Sequence, residues 1–168
     1  MKTALRNYKE DIPLTNIVME FISLLLAGIL AGEEFVVRYG VHVSLAALDE
    51  PSQIKVRQAL ILRLRVLVPI LFVLTAISAV AVLVLDSSGP GFGFRCAGVF
   101  ALLIFILVTA IGTVPINKGA LAWQPDAPPS NWKALVRRWE RLDVIRSSAA
   151  ILAFAFFLTA VALQVAGN

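Results

Sequence analysis

The sequence predicts an all-α integral membrane protein, a bundle of four transmembrane helices with helical extensions on the second and fourth spans. Three observations carry that prediction. Hydrophobic residues make up 59% of the 168 residues, and the mean hydropathy is +0.85, far above what a water-soluble domain needs to fill its core. Apolar stretches recur four times, near residues 17–38, 66–85, 92–114 and 147–165, each close to the roughly 20 residues that cross a bilayer as a helix. Basic residues flank these stretches instead of forming a separate tail. One membrane domain over residues 1–168 accounts for the whole chain.

The first span is the anomalous one. Its unbroken apolar run, Phe21 to Gly32, would cover only about 18 Å as a helix. Reaching full length requires Glu20 at one end or Glu33 and Glu34 at the other, so at least one carboxylate sits at membrane depth or at its boundary. Ala27 and Ala31, and Gly28 and Gly32, recur at i, i+4, which lets another helix approach closely. Packing within the bundle is the commoner use of such stripes; a homo-oligomer or a larger membrane complex is the alternative. Basic residues ahead of the apolar run imitate a signal peptide, but Glu10, Asp11 and Glu20 fit that pattern poorly, and no cleavage is expected.

The second span, Val66 to Leu85, is uncharged, with Pro69 near its start, where a missing N–H is easiest to tolerate. A helix from Ser52 should lead into it. The third span follows the turn-like Asp86-Ser-Ser-Gly-Pro-Gly and is expected to end at Pro115, forming a tight hairpin with the second. The fourth, Ser147 to Val165, is preceded by a helix starting at Ser130-Asn-Trp after Pro128-Pro129.

A formal charge of +4 and a pI near 9.6 could suggest nucleic acid, but topology explains the basic residues better. Four spans place the termini and second loop on one side with few Lys and Arg, and the first and third loops on the other with many. The positive-inside rule therefore predicts a multi-pass cell-membrane protein with cytoplasmic first and third loops. Cys96 is the only cysteine, which excludes an intramolecular disulfide and a multi-thiolate metal site.

Unusual polar residues gather at the end formed by the first and third loops, leaving the other end as a plain apolar hairpin. Ionisable groups at membrane depth are site candidates by default. Glu34 and Arg38 are spaced i, i+4, which suits an ordinary helix-surface ion pair as well as a functional one. Glu33 then lacks a local partner and is a candidate base. His42 is the only histidine; a metal would have to combine it with Glu33 or Glu34, and no ligand spacing supports that, so no metal and no cofactor are expected. Trp132, Trp139, Asp143 and Arg146 recur at i, i+7, i+11 and i+14, sharing one helix face as either a binding stripe or an interfacial aromatic belt. Asn117 could donate to a ligand or satisfy carbonyls at a helix end. Gly-rich phosphate loops, HExxH and GxSxG are all missing from the sequence, which argues against nucleotide, zinc-protease and serine-hydrolase chemistry.

The segments AGEEFVVRYGVH, RLRVLVP, TVPINKGALAW, and a tryptophan followed by RWERLDVIRSS resemble the anthrone oxygenase-like family of small membrane proteins. The resemblance runs from about Gly28 to the fourth span, and VPIN with a downstream tryptophan and arginine helix is its most specific element. It implies a four-helix membrane bundle. For some members it implies oxidation of an anthrone to an anthraquinone by O2 without an evident cofactor. The matching motifs point to Asn117, Trp139 and Arg146, with Arg63 or Arg65 ahead of Pro69; Asp143 departs from the pattern, in which histidine or asparagine is more usual.

The function expected is binding, and oxidation with O2, of a hydrophobic aromatic or quinone-like molecule at the polar end. Glu33, Asp143 and Arg146 are the catalytic candidates, and Glu34, His42, Arg63, Arg65, Asn117 and Trp139 the substrate-binding ones. The alternative is a non-catalytic complex subunit or small-molecule carrier, in which the same charges are interhelical ion pairs and interface anchors.

Overall fold

The computed structural model describes residues 14–167, and helix dominates them. In chain order these are α1 (Leu14–Val36), a π-helical turn (Val37–Val41), α2 (His42–Ala46), α3 (Glu50–Leu85), α4 (Phe92–Leu107), a second π-helical turn (Val108–Thr113), α5 (Val114–Ala120) and α6 (Trp132–Gly167). Three helical stretches, Glu50–Leu85, Phe92–Ala120 and Trp132–Ala166, are long and apolar enough to cross a membrane. α1 is not one of these three, and it carries Glu20, Glu33 and Glu34 within an otherwise apolar sequence.

The way α1 sits relieves the anomaly. Phe21, Leu25, Ile29 and Phe35 are exposed on its outer side, whereas Glu20, Ala27, Leu30, Ala31 and Glu34 are buried. The carboxylates Glu20 and Glu34 therefore turn toward neighbouring helices and an apolar stripe faces out. Of the small residues, Ala27 and Ala31 are buried and an added Cβ at Gly28 would lie 3.2 Å from the Phe154 ring, while Gly32 is open. Packing within the bundle accounts for the first three.

Several boundaries differ from expectation. α3 starts at Glu50 instead of Ser52, because the Asp49 carboxylate accepts a hydrogen bond from the Ser52 backbone N–H at 3.2 Å and caps the helix; hydrogen bonding from the Ser52 side chain, and then from its backbone N–H, holds Asp49 below the usual carboxylate range. Pro69 consequently lies deep inside a 36-residue helix, where its ring leaves the Arg65 carbonyl without an intrahelical donor. Pro115 does not end the third span. The π-helical turn before it widens the helix, and Pro115 then occupies the first turn of α5, where a missing N–H costs little. Thr109 and Thr113 hydroxyls donate to the Phe105 and Thr109 carbonyls at 2.7 and 3.1 Å across this stretch.

α6 is the central helix, packed against α4 and α1, while α3 leans on α1 and touches α4 only lightly. Small residues permit the tight contacts: Ala149, Ala150, Ala153 and Ala160 of α6 are buried with Ala101, Leu102 and Phe105 of α4. Gly98 lets the Phe157 ring lie where its Cβ would be, 2.3 Å away. Gly91, at φ +90°, makes the turn into α4 against the Ala160 backbone, a conformation and a space that both exclude a side chain.

A second apolar cluster of Ile54, Ala120, Trp123, Trp132 and Val136 closes one end of the bundle. Trp123 and Trp132 meet edge-on at 6.3 Å and are buried, so neither forms an interfacial belt. Gln58 ties α3 to this cluster by donating to the Ala120 and Trp123 carbonyls, each at 2.9 Å. The opposite end is not the plain apolar hairpin expected. There Arg95 is buried and forms ion pairs with Glu20 and Asp86 at 2.5 and 2.6 Å, while also donating to the Gln164 side-chain oxygen.

Candidate functional site

The light contact between α3 and α4 leaves a cavity of about 660 Å³, within the range that encloses a drug-sized ligand. Its walls are largely apolar, with Leu60, Ile61, Leu64, Val68 and Phe72 of α3 facing Phe105 and Ile106 of α4. Polar groups enter from five elements: Glu33 from α1, His42 from α2, Arg57 from α3, Asn117 from α5, and Trp139 and Arg146 from α6. Both π-helical turns border it, through Val37 and Val41 on one side and Thr109 and Thr113 on the other. Such turns are frequent at functional sites because they re-aim side chains without ending the helix.

Behind the wall runs a buried charge network. Arg146 donates to Asp143 Oδ1 at 2.9 Å and lies 3.1 Å from Glu34 Oε2. His42 Nε2 is 3.6 Å from Asp143 Oδ2. Glu34 and Asp143 are fully buried. The expected Glu34–Arg38 pair does not form: Arg38 donates instead to the Ser147 and Ser148 hydroxyls at 3.3 and 3.0 Å, because Arg146 supplies the buried partner for Glu34.

Trp139 lies between cations and an imidazole. Arg57 sits over its ring at 5.3 Å, Arg146 at 6.0 Å, and the His42 ring meets it tilted by 46° at 5.0 Å. Its indole N–H has no protein acceptor. Apart from the neighbouring Glu34 carboxyl, neither Glu33 oxygen has a protein hydrogen-bond partner, and Arg57 Nε, Arg146 Nε and His42 Nε2 are unpartnered. Buried polar groups in folded proteins are nearly always satisfied. A concentration of exceptions around one cavity makes it the candidate site.

Of the candidates read from sequence, Glu33, His42, Arg65, Asn117, Trp139 and Arg146 line this cavity. Glu34 and Asp143 stand behind it as counterions of Arg146. Arg65 is otherwise exposed, and Arg63 is exposed and does not line the cavity. Asn117 lies inside α5 instead of after a helix end. Sequence reasoning missed Arg57. The signal was present, since Ile54, Arg57, Ile61, Leu64 and Val68 recur at the i, i+3, i+7, i+10, i+14 spacing of one inward helix face.

A profile of the anthrone oxygenase family matches residues 58–156. The chain belongs to this family. No curated protein and no solved structure matches it. In this anthrone oxygenase family member the matched region carries Asn117, Trp139, Asp143 and Arg146, together with most of the apolar wall. Glu33, Glu34, Arg38, His42 and Arg57 precede that region, so the site joins the family segment to the chain ahead of it.

Proposed function

We propose that the cavity binds a planar aromatic ketone of the anthrone type and oxidises it with O2. The observation that carries this is Glu33, a carboxylate with no basic side chain bonded to it and only the Glu34 carboxyl beside it, in the same cavity wall as Arg146 and Asn117. Glu33 takes a proton from the methylene between the two aryl rings. The electron pair left behind delocalises onto the ketone oxygen, where the Arg146 guanidinium and the Asn117 amide stabilise the negative charge. The electron-rich carbon then reduces O2 and bonds to it, giving a hydroperoxide. Loss of the second C–H proton with cleavage of the O–O bond releases water and leaves the quinone carbonyl, so one CH2 and one O2 become one C=O and one H2O.

Asp143 does not line the cavity. Its role here is to position Arg146 and, through His42, the Trp139 ring. α1 acts as the fourth span, its inward carboxylates supplying the base and the Arg146 counterion, and the whole bundle sits in the cell membrane. The first and third loops face the cytoplasm in this reading: Lys55, Arg63, Arg65, Lys118, Lys133, Arg137, Arg138 and Arg141 at that end are exposed, whereas Arg95 at the other end is buried in ion pairs.

Oxygen uptake by purified protein with anthrone tests the reaction. Wild type should consume O2 stoichiometrically with anthraquinone formed, and Glu33→Gln should not. Equal rates in wild type, Glu33→Gln, Arg146→Ala and a protein-free blank would remove the enzymatic reading, leaving a carrier that binds without turnover.

A further inference from the structure

Three arginines among the described residues are at least nine-tenths buried: Arg57, Arg95 and Arg146. Two have their counterions in place, Arg95 with Glu20 and Asp86, Arg146 with Asp143 and Glu34. Arg57 has none. No described carboxylate forms an ion pair with it, its Nε has no acceptor, and Glu140 and Asp143 act on it only from beyond ion-pair distance. A buried charge without a partner is costly and is retained where something else completes it. Arg57 faces the cavity and lies over Trp139, whose indole N–H is also unpartnered. Two donors without acceptors thus stand side by side at one edge of an apolar chamber. The turn of α3 that carries Arg57 is held by Gln58 through its two bonds to the Ala120 and Trp123 carbonyls. Cations also outnumber anions in the wall, with Arg57, Arg65, Lys118 and Arg146 against Glu33.

We infer that Arg57, with the Trp139 N–H beside it, recognises an acidic substituent, a carboxylate or ionised phenol, on the aromatic ligand. The inference rests on the proposed aromatic ligand and narrows it to acidic polycyclic compounds. The guanidinium supplies charge-assisted hydrogen bonds to the acid group, the Trp139 ring orients the guanidinium, and Leu64, Val68 and Phe72 receive the fused rings. Neutral analogues forgo the counterion and bind more weakly.

The test measures equilibrium binding of anthraquinone-2-carboxylate and of the neutral anthraquinone-2-carboxamide to the full chain in phosphatidylcholine nanodiscs. Wild type should prefer the carboxylate by about tenfold or more, the range of a charge-assisted hydrogen bond. Arg57→Gln should abolish the preference while keeping carboxamide affinity, which also reports a folded cavity, and Arg57→Lys should keep part of it. The wild-type comparison stands even if a variant fails to fold. Equal binding of the two compounds by wild type, or an undiminished preference in Arg57→Gln, overturns the inference. So does displacement of the carboxylate alone by phosphatidylglycerol nanodiscs, which would assign the site to a lipid headgroup. An intact preference without O2 uptake would sink only the oxygenase reading, whereas failure of both compounds to bind would sink both.

Discussion

The two ends of the bundle each bury arginine and carboxylate, yet they are built to opposite rules. At one end Arg95 is saturated by Glu20, Asp86 and Gln164, drawn from α1, the α3–α4 turn and α6. At the other end, Glu33, Arg57, Trp139 and parts of Arg146 and His42 remain unpartnered around a cavity of about 660 Å³. The same residue types thus serve cohesion where their bonds close on each other and, in the proposed function, binding where they stay open. A satisfied network specifies one arrangement of helices; an unsatisfied one is stabilised only when something enters.

The largest effect expected from breaking this contrast is at the closed end. Arg95→Met strands Glu20 and Asp86 and should destabilise the protein by about 3–5 kcal/mol, read as a fall in unfolding temperature in detergent. At the open end, Glu33→Gln should lower anthrone-dependent O2 uptake by about a hundredfold or more while scarcely moving the unfolding temperature, because glutamine keeps the side chain's length and an oxygen that can still accept from Glu34. Arg57→Met sharpens the comparison further. Unlike Arg95→Met it removes a buried charge that has no partner, and a modest rise in unfolding temperature is expected. Trp139→Phe replaces the indole with a smaller phenyl ring and deletes the N–H, and should weaken ligand binding by roughly two- to tenfold. The smallest effect is at Asp49, outside both networks. Because its folded carboxylate is held low by Ser52, its contribution is present above the ordinary carboxylate range and lost as pH falls through the lowered value. Asp49→Ala should lower the unfolding temperature slightly at neutral pH and leave O2 uptake alone.

The long helices and the charged character of the open end were legible because hydropathy and spacing are local properties. Glu33 and the Trp139, Asp143, Arg146 face could be found that way. The closed end could not, since Glu20 and Gln164 lie 75 and 69 positions from Arg95 and no single-helix period connects them. Only up-and-down topology, which brings the start of α1, the start of α4 and the end of α6 to one depth, would have joined them. Arg57 was hidden differently: as one of several basic residues on the helix leading into the second span it does not stand out, yet it occupies an apolar, inward helix face. Nor does local sequence reveal the π-helical turns that carry the third span past Pro115. Partner choice for Glu34 was likewise a tertiary decision, because Arg146 on α6 supplies the contact that i, i+4 spacing assigned to Arg38.

Native mass spectrometry of the protein released from nanodiscs after incubation with anthraquinone tests the central claim most directly, since it asks whether the open end is a ligand site at all. Wild type should carry one bound anthraquinone per chain, and Leu64→Trp, which fills the cavity, should carry none. No bound molecule on wild type, or equal occupancy in both proteins, would contradict the account and return the open end to helix packing.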